Sequence, residues 1–266
     1  MQSHLKYLML TLLGMSLSGC VTTGLTGVQR SLSDTPWGYQ IVQSPHPVYL
    51  GKKSQRFEVR PGDCSANSGW NDCKTDRERS EVTATSARFP LGSQNWISFL
   101  IYLPKDFETS NSVNADLGQI YMRGGFSGYA GGFRSFPPLL QLNAIGKIYT
   151  ACFHMLSGTE DQIQDHCESR LIANLADMRG KWSRITIHLD AKQKAPAVRI
   201  FFNGAQVAAF SQTLSRDPQE YYLKYGIYRS FVSRHGKPMP TQVVYYDEVK
   251  TGATRAEVED ETAVVD

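Results

Sequence analysis

Three short runs hold the residue types that could do chemistry: Arg77-Glu78-Arg79-Ser80-Glu81-Val82, Gly118-Gln119-Ile120-Tyr121 and Tyr222-Leu223-Lys224-Tyr225-Gly226-Ile227-Tyr228. A guanidinium is a planar fork of donors that grips a carboxylate at two points, and a glutamine amide adds another donor. A phenol titrates near pH 10 and can carry a proton at lower pH when a cation favours its ionised form. Lys224, four residues before Tyr228, is the expected cation. The combination suits a groove that neutralises a carboxylate and moves a proton beside it.

These groups meet only if each run is a strand. Alternation then puts Arg77, Arg79 and Glu81 on one face, Gln119 and Tyr121 on one face, and Tyr222, Lys224, Gly226 and Tyr228 on one face. Leu223, Tyr225 and Ile227 take the opposite, core-facing side. Gly226 is expected to leave room for a ligand. Further strands are expected at 55–60, 80–85, 96–103, 119–123, 139–143, 148–155, 183–189, 198–202, 205–210, 222–228 and 242–249, with Asn203-Gly204 as a hairpin turn. Only Asp161 to Met178 looks partly helical, anchored by Ile163, Leu171, Ile172 and Leu175. Thirteen tyrosines and twelve phenylalanines agree with β structure. The expected fold is all-β, a two-sheet antiparallel sandwich of jelly-roll, concanavalin-like type with little helix.

In this order the three runs resemble the motifs of the jelly-roll polysaccharide lyases. Family 7 alginate lyases carry Arg-Ser/Thr-Glu-Leu, Gln-Ile/Val-His and Tyr-Phe-Lys-x-Gly-x-Tyr. The heparin-lyase-I-like group is more similar still. Its members carry a stretch like Arg56-Phe57-Glu58-Val59-Arg60-Pro61-Gly62-Asp63, and Pro137-Pro138-Leu139, Gly180-Lys181-Trp182 and Tyr246-Asp247-Glu248-Val249 also resemble it. The resemblance spans roughly residues 50 to 252 and implies β-elimination on a uronic-acid polysaccharide. It implies Arg79 and Gln119 as the donors that neutralise the uronate carboxylate, and Tyr228, tuned by Lys224, as the proton carrier, either as acid with a histidine or Tyr121 as base or as both in a syn elimination. One position departs: Tyr121 stands where alginate lyases have histidine. Either Tyr121 takes that role, His154 substitutes for it, or the chain binds glycan without cutting it. Arg77, Arg123, Arg134, Tyr222, Lys224 and Arg229 are expected to hold the acidic polymer, with the loop Met122 to Phe136 at the rim. His46, His166, His188 and His235 lie in less suggestive contexts.

Other readings compete. Each run alone could be a solvated sheet face with surface ion pairs. A sandwich glycoside hydrolase needs two carboxylates about 5–5.5 Å apart for retaining chemistry. The Glu-x-Asp-x-x-Glu signature of laminarinase-type hydrolases is absent, and Glu58 and Glu81 look paired with arginines. A net charge of +3 gives no reason to expect nucleic-acid binding. No cofactor is expected; scattered histidines and the lack of C-x-x-C spacing argue against a metal site. A monomer is expected.

The N-terminus reads as an address. Lys6, an apolar run from Tyr7 to Leu17 and Leu17-Ser18-Gly19-Cys20 form a secretion signal (1–19) with a lipobox-like end. The run is about a dozen residues, short of the roughly twenty a spanning helix needs. Cys20 is the expected lipidation site, and Val21 after it favours the outer membrane, on its periplasmic or surface face. Residues 20–36 are the expected anchor and linker, 37–252 the domain, and 253–266 an acidic disordered tail. Of five cysteines, Cys64, Cys73, Cys152 and Cys167 remain. Pairing Cys64 with Cys73 and Cys152 with Cys167 closes two short polar loops.

Overall fold

The computed structural model describes residues 27–32, 34–67, 69–123, 129–130, 133–134, 136–159 and 162–262. The strands run β1 (Val28–Arg30), β2 (Tyr39–Val42), β3 (Ser54–Val59), β4 (Arg77–Pro90), β5 (Gln94–Tyr102), β6 (Ala115–Arg123), β7 (Tyr129–Ala130) and β8 (Phe133–Arg134). They continue with β9 (Pro138–Ile145), β10 (Ile148–Thr159), β11 (Gln162–Asn174), β12 (Trp182–Asp190), β13 (Ala197–Phe202), β14 (Ala205–Ser211), β15 (Glu220–Ser230) and β16 (Gln242–Gly252). Two short helices, α1 (Leu175–Met178) and α2 (Arg255–Glu259), are the described α-helical segments.

Two antiparallel seven-stranded sheets stack face to face. The first has the order β1-β4-β15-β6-β9-β10-β11, the second β14-β13-β12-β5-β16-β3-β2. Strands distant in sequence therefore sit side by side, as the expected jelly roll requires. The β13–β14 hairpin turns on Asn203 and Gly204, both with positive φ, which fits a primed two-residue turn.

Period-two alternation builds the core. Leu223, Tyr225 and Ile227 of β15 point inward with no exposed surface, as do Phe57 of β3, Phe99 of β5 and Tyr246 of β16. Phe57, Tyr225 and Tyr246 contact edge to face, with centroids 5.2–5.7 Å apart. Each such ring contributes about 1.5–3 kcal/mol by burial, plus a directional gain from the ring pairs. This cluster backs the strands that carry the three polar runs. Both expected disulfides are present, Cys64–Cys73 and Cys152–Cys167.

Three expectations are corrected. Residues 162–174 form β11, paired along its length with β10, and only Leu175–Met178 is helical. Leu171 is 54 % exposed beside the buried Ile172, so the period here is two and not that of a helix; the side chain of Ile163 lies outside the described residues. The tail is docked as far as residue 262. Thr254 caps α2, Val258 is fully buried, and Glu259, Asp260 and Glu261 meet Thr186, Lys250 and Arg184. Opposite charge on distant strands gives the acidic segment a seat. The linker is shorter than expected, because β1 pairs with β4 from Val28 onward. Cys20 and the signal segment lie outside the described residues.

Candidate active site

Strands β4, β15 and β6 lie side by side in the first sheet and bring the three polar runs onto its outward face. Arg79 pairs in register with Tyr228, and Lys224 with Gln119. The register shifts by one residue between Tyr225 and Tyr228, a bulge that re-aims the end of β15. Gly226 makes the bulge possible. Its φ is +128°, and a Cβ there would lie 2.4 Å from the Ser80 carbonyl oxygen and 2.8 Å from Phe57. The glycine thus admits the neighbouring strand and the core, not a ligand, which corrects the expectation. Tyr246 reaches across from the second sheet and donates its hydroxyl to the Leu117 carbonyl, with the Gly226 carbonyl at 3.0 Å. Carbonyls displaced by the bulge are so satisfied.

The Cys64–Cys73 loop positions the arginines. Asp72, next to the disulfide and wholly buried, takes Arg79 by a two-point grip, Nε and Nη2 each at 2.6 Å. Trp70 Nε1 donates to the same carboxylate at 2.8 Å. Burial works against the Arg79 charge, but Glu81 and Asp72 outweigh it and push its pKa up. Arg79 then lies 4.5 Å from the Tyr228 ring centroid, and Arg77 Nε donates to the Tyr228 hydroxyl at 2.8 Å. Arg77 packs between the rings of Trp70 and Phe231, 5.4 and 4.8 Å from their centroids.

Lys224 and Gln119 converge on Glu81. The ammonium binds one carboxylate oxygen and the Gln119 amide donates to the other. Burial pulls the Lys224 pKa down, with Glu81 pulling it up. Lys224 also stands 5.6 Å from the Tyr121 ring centroid, and Tyr121 packs on Tyr222 at 5.4 Å. The expectation that Lys224 tunes Tyr228 is corrected. Burial raises the Tyr228 pKa above its ordinary value, and the cations opposing that rise are Arg79 and Arg77. Tyr228 is therefore a neutral phenol near neutral pH.

The far wall comes from β9, β10 and β11. His154 is held on both ring nitrogens: Nδ1 lies 2.9 and 3.0 Å from the Asp165 carboxylate oxygens, and Nε2 lies 2.8 Å from Gln141 Oε1. Phe136, Pro137 and Pro138 form the rim between β6 and β9. Together these walls enclose a cleft of about 420 Å³ that also holds Arg77, Arg79, Gln119, Tyr121, Tyr222, Lys224 and Tyr228. It offers carboxylate-binding donors beside an uncharged phenol.

Some expected residues stay outside. Arg229 is fully buried, paired with Glu78 and bound to the carbonyls of Arg60 and Pro240. It follows Tyr228 directly, so it points to the other side of the sheet. Arg123 is exposed and pairs with Glu220 at 3.0 Å, away from the cleft lining. Arg134 belongs to β8, but its side chain and much of the expected rim loop (124–128, 131–132, 135) lie outside the described residues. His46 packs on Tyr245, His188 on Trp96 and His235 against Ser110, and His166 is exposed; none lines the cleft. Glu58 is held by Arg56 and Arg60. Trp70, Asp72, Gln141 and Asp165 were not anticipated. The short disulfide loop was a signal for the first two; only strand order places the others.

Comparison with known proteins follows the same lines. The family model described as polysaccharide lyase matches residues 22–250. No curated protein matches the sequence significantly. The endo-β-1,4-glucuronan lyase of the fungus Trichoderma reesei superposes with a TM-score of 0.66 at 17 % identity, over 89 % of this chain and 94 % of that one. An alginate lyase from Corynebacterium sp. superposes with a TM-score of 0.51 at 12 % identity, over 82 % of each chain. At such identities the superpositions speak for the fold.

Proposed function

The chain belongs to the polysaccharide lyase family, and we propose that the cleft on its first sheet cuts a uronic-acid polysaccharide by β-elimination with Tyr228 as the proton donor. One observation carries this reading: a buried phenol, kept neutral, is held by Arg77 and faced by Arg79 at the floor of an open cleft.

Elimination removes the proton at C5 beside the carboxylate, forms the C4–C5 double bond and expels the glycosidic oxygen from C4, which takes up a proton. No water is consumed. The C5 proton is acidic enough only when the carboxylate charge is neutralised, and one well-placed donor to a developing anion is worth about 3–4 kcal/mol. Arg77, Arg79 and Gln119 fill that role. Asp72 and Glu81 hold Arg79 and Gln119 in place before substrate arrives, so little reorganisation remains. Tyr228 protonates the leaving oxygen, as general acid. We assign the base to Tyr121, since both ring nitrogens of His154 are already engaged and Tyr121 lines the same cleft beside Lys224. Tyr222 and Trp70 offer ring faces and edges to sugars.

A uronan such as glucuronan or alginate fits this chemistry, and the lyases that share the fold act on such polymers by name. The similarity of Arg56–Asp63 and Pro137–Leu139 to the heparin-lyase-I-like group favours that branch of the family. Lipidation at Cys20 would hold the enzyme at the outer membrane. Only seven residues lie between Cys20 and Val28, where β1 begins, a reach of at most about 28 Å. Palmitate labelling that survives in Cys20→Ser would rule the anchor out.

The test of the reaction is incubation with polyglucuronate, alginate and heparin, following ultraviolet absorbance of the unsaturated uronate together with new reducing ends. Both are expected to rise in step on at least one uronan. Reducing ends without absorbance would mean hydrolysis and overturn the proposal.

A further inference from the structure

Behind the cleft wall one line of hydrogen bonds crosses four adjacent strands, from the buried centre of the sheet to its edge. Asp116 of β6 is 4 % exposed, and its Oδ1 accepts the Gly118 N–H at 3.1 Å. Its Oδ2 accepts from Gln141 Nε2 at 2.6 Å, on β9. The other end of that amide, Oε1, is 2.8 Å from His154 Nε2 on β10, and His154 Nδ1 faces Asp165 on β11. The reaction proposed above makes no use of Asp116.

An amide in such a line can face either way, but its two ends are never alike. While Asp116 is ionised, Gln141 must donate to it, so the carbonyl end faces His154. Nε2 must then carry a proton, and Nδ1 must carry another to meet Asp165: the ring is an imidazolium. When Asp116 alone of the pair is protonated, it donates to the carbonyl end of a rotated amide, and the NH2 end faces His154. Nε2 must then present its lone pair, and the ring is neutral. Removing both protons sets lone pair against oxygen; adding both leaves the amide donating to the remaining acceptor oxygen of the carboxyl and accepting from Nε2.

We propose that Asp116, through the Gln141 amide, sets the charge of His154, so that between two titration steps the pair holds a single proton placed either in the buried sheet or on the cleft wall. The groups around the two sites bias that choice. Burial and the charge of Glu81 push the Asp116 carboxyl up, while Lys224 pulls it down. Tyr149 and Tyr246, both buried, face Asp116 from β10 and β16. Asp165 and the carboxylates of an arriving uronan favour the imidazolium. Substrate binding would thus draw the proton outward to His154 and leave a carboxylate beside Lys224. Asp116 is on this account a positioning residue that tunes how the cleft holds an acidic polymer.

The inference rests on the lyase reading of the cleft, but its main test needs no substrate, so the two can fail separately. The chain has six histidines. Ring-nitrogen chemical shifts of His154, assigned by loss of its signal in His154→Gln, are followed against pH in the protein and in Asp116→Asn and Gln141→Met. The wild type is expected to titrate in two separated steps, as a coupled pair does, and each variant in one ordinary histidine step. Melting curves establish that each variant is folded; if Asp116→Asn is not, Gln141→Met decides alone. A single wild-type step that coincides with the folded variants overturns the proposal. With a uronan as substrate, KM should stay flat across neutral pH in the wild type. In Asp116→Asn it should rise by roughly fivefold over the histidine range, with kcat unaffected by that transition. KM profiles that superimpose would equally overturn it.

Discussion

The two outward faces of the sandwich carry the same classes of residue and use them in opposite ways. On the first sheet Arg77, Arg79 and Lys224 sit among tyrosines and a tryptophan, and the space above them is an open cleft. On the second sheet Arg184 and Lys250 share the surface with Tyr102, Tyr245 and Trp182, whose rings pack 5.4–6.0 Å apart across three strands. There the chain covers its own cations: Glu261 binds Arg184, the Asp260 carbonyl takes Lys250, and Glu259 pairs with Arg255 of α2 itself. Cations and rings therefore do not mark the working face. What marks it is charge held in place from behind by Asp72 and Glu81 while the front stays open.

This contrast can be broken by substitution. The largest effect is expected from Tyr228→Phe, which removes the proposed proton donor and should lower kcat by about 10²–10⁴-fold with the melting temperature little changed; near-full activity would show that the open face works differently. Next is Asp72→Ala. It strips the rear support from Arg79 in a buried pair, at about 3–5 kcal/mol of stability, and should lower activity together with thermal stability. On the covered face, ending the chain at Gly252 removes α2 and should cost roughly 2–3 kcal/mol through loss of the Val258 seat. Its kcat/KM on a uronan should stay within about twofold, as steady-state kinetics would show.

Two expectations concern pH. On the proposed mechanism Tyr228 must be protonated to act, and burial raises its pKa above the usual tyrosine value near 10. Ionisation of Tyr228 should therefore not lower kcat below about pH 10; a tyrosine-type decline near neutrality would contradict its environment. The smallest effect belongs to the covered face. Burial raises the Asp247 pKa to about 6, so its protonation favours the folded state. That stabilisation is complete below the unfolded value near 4 and is lost as pH rises through about 6. Asp247→Asn should flatten the melting temperature over that window.

How legible was this in the sequence? Alternation was enough for most strands of both sheets, though not for β1, β2 and β11, and for the shared face of Arg79, Gln119, Lys224 and Tyr228. The same rule excludes Arg229, which neighbours Tyr228 and faces away, from the polymer-binding cations. The Lys224–Tyr228 pairing failed on distance. Four residues of strand span about 13 Å, so a cation tuning Tyr228 had to come from a neighbouring strand, as Arg79 does. The bulge at Gly226 was hidden because it depends on how closely β4 and Phe57 approach. The docked tail was hidden because Arg184 and Lys250, its partners, are contributed by other strands. Local pattern shows a face; what supports or covers that face is set by strand order.

The most direct test of the open face as a lyase site is mass analysis of the products made from polyglucuronate, or from whichever uronan proves to be cut, by wild type and Tyr228→Phe. The account predicts oligosaccharides from the wild type whose new non-reducing ends lack one water, as elimination requires, and almost none from the variant. Products that have gained water at the cut, or equal yields from both proteins, would contradict it.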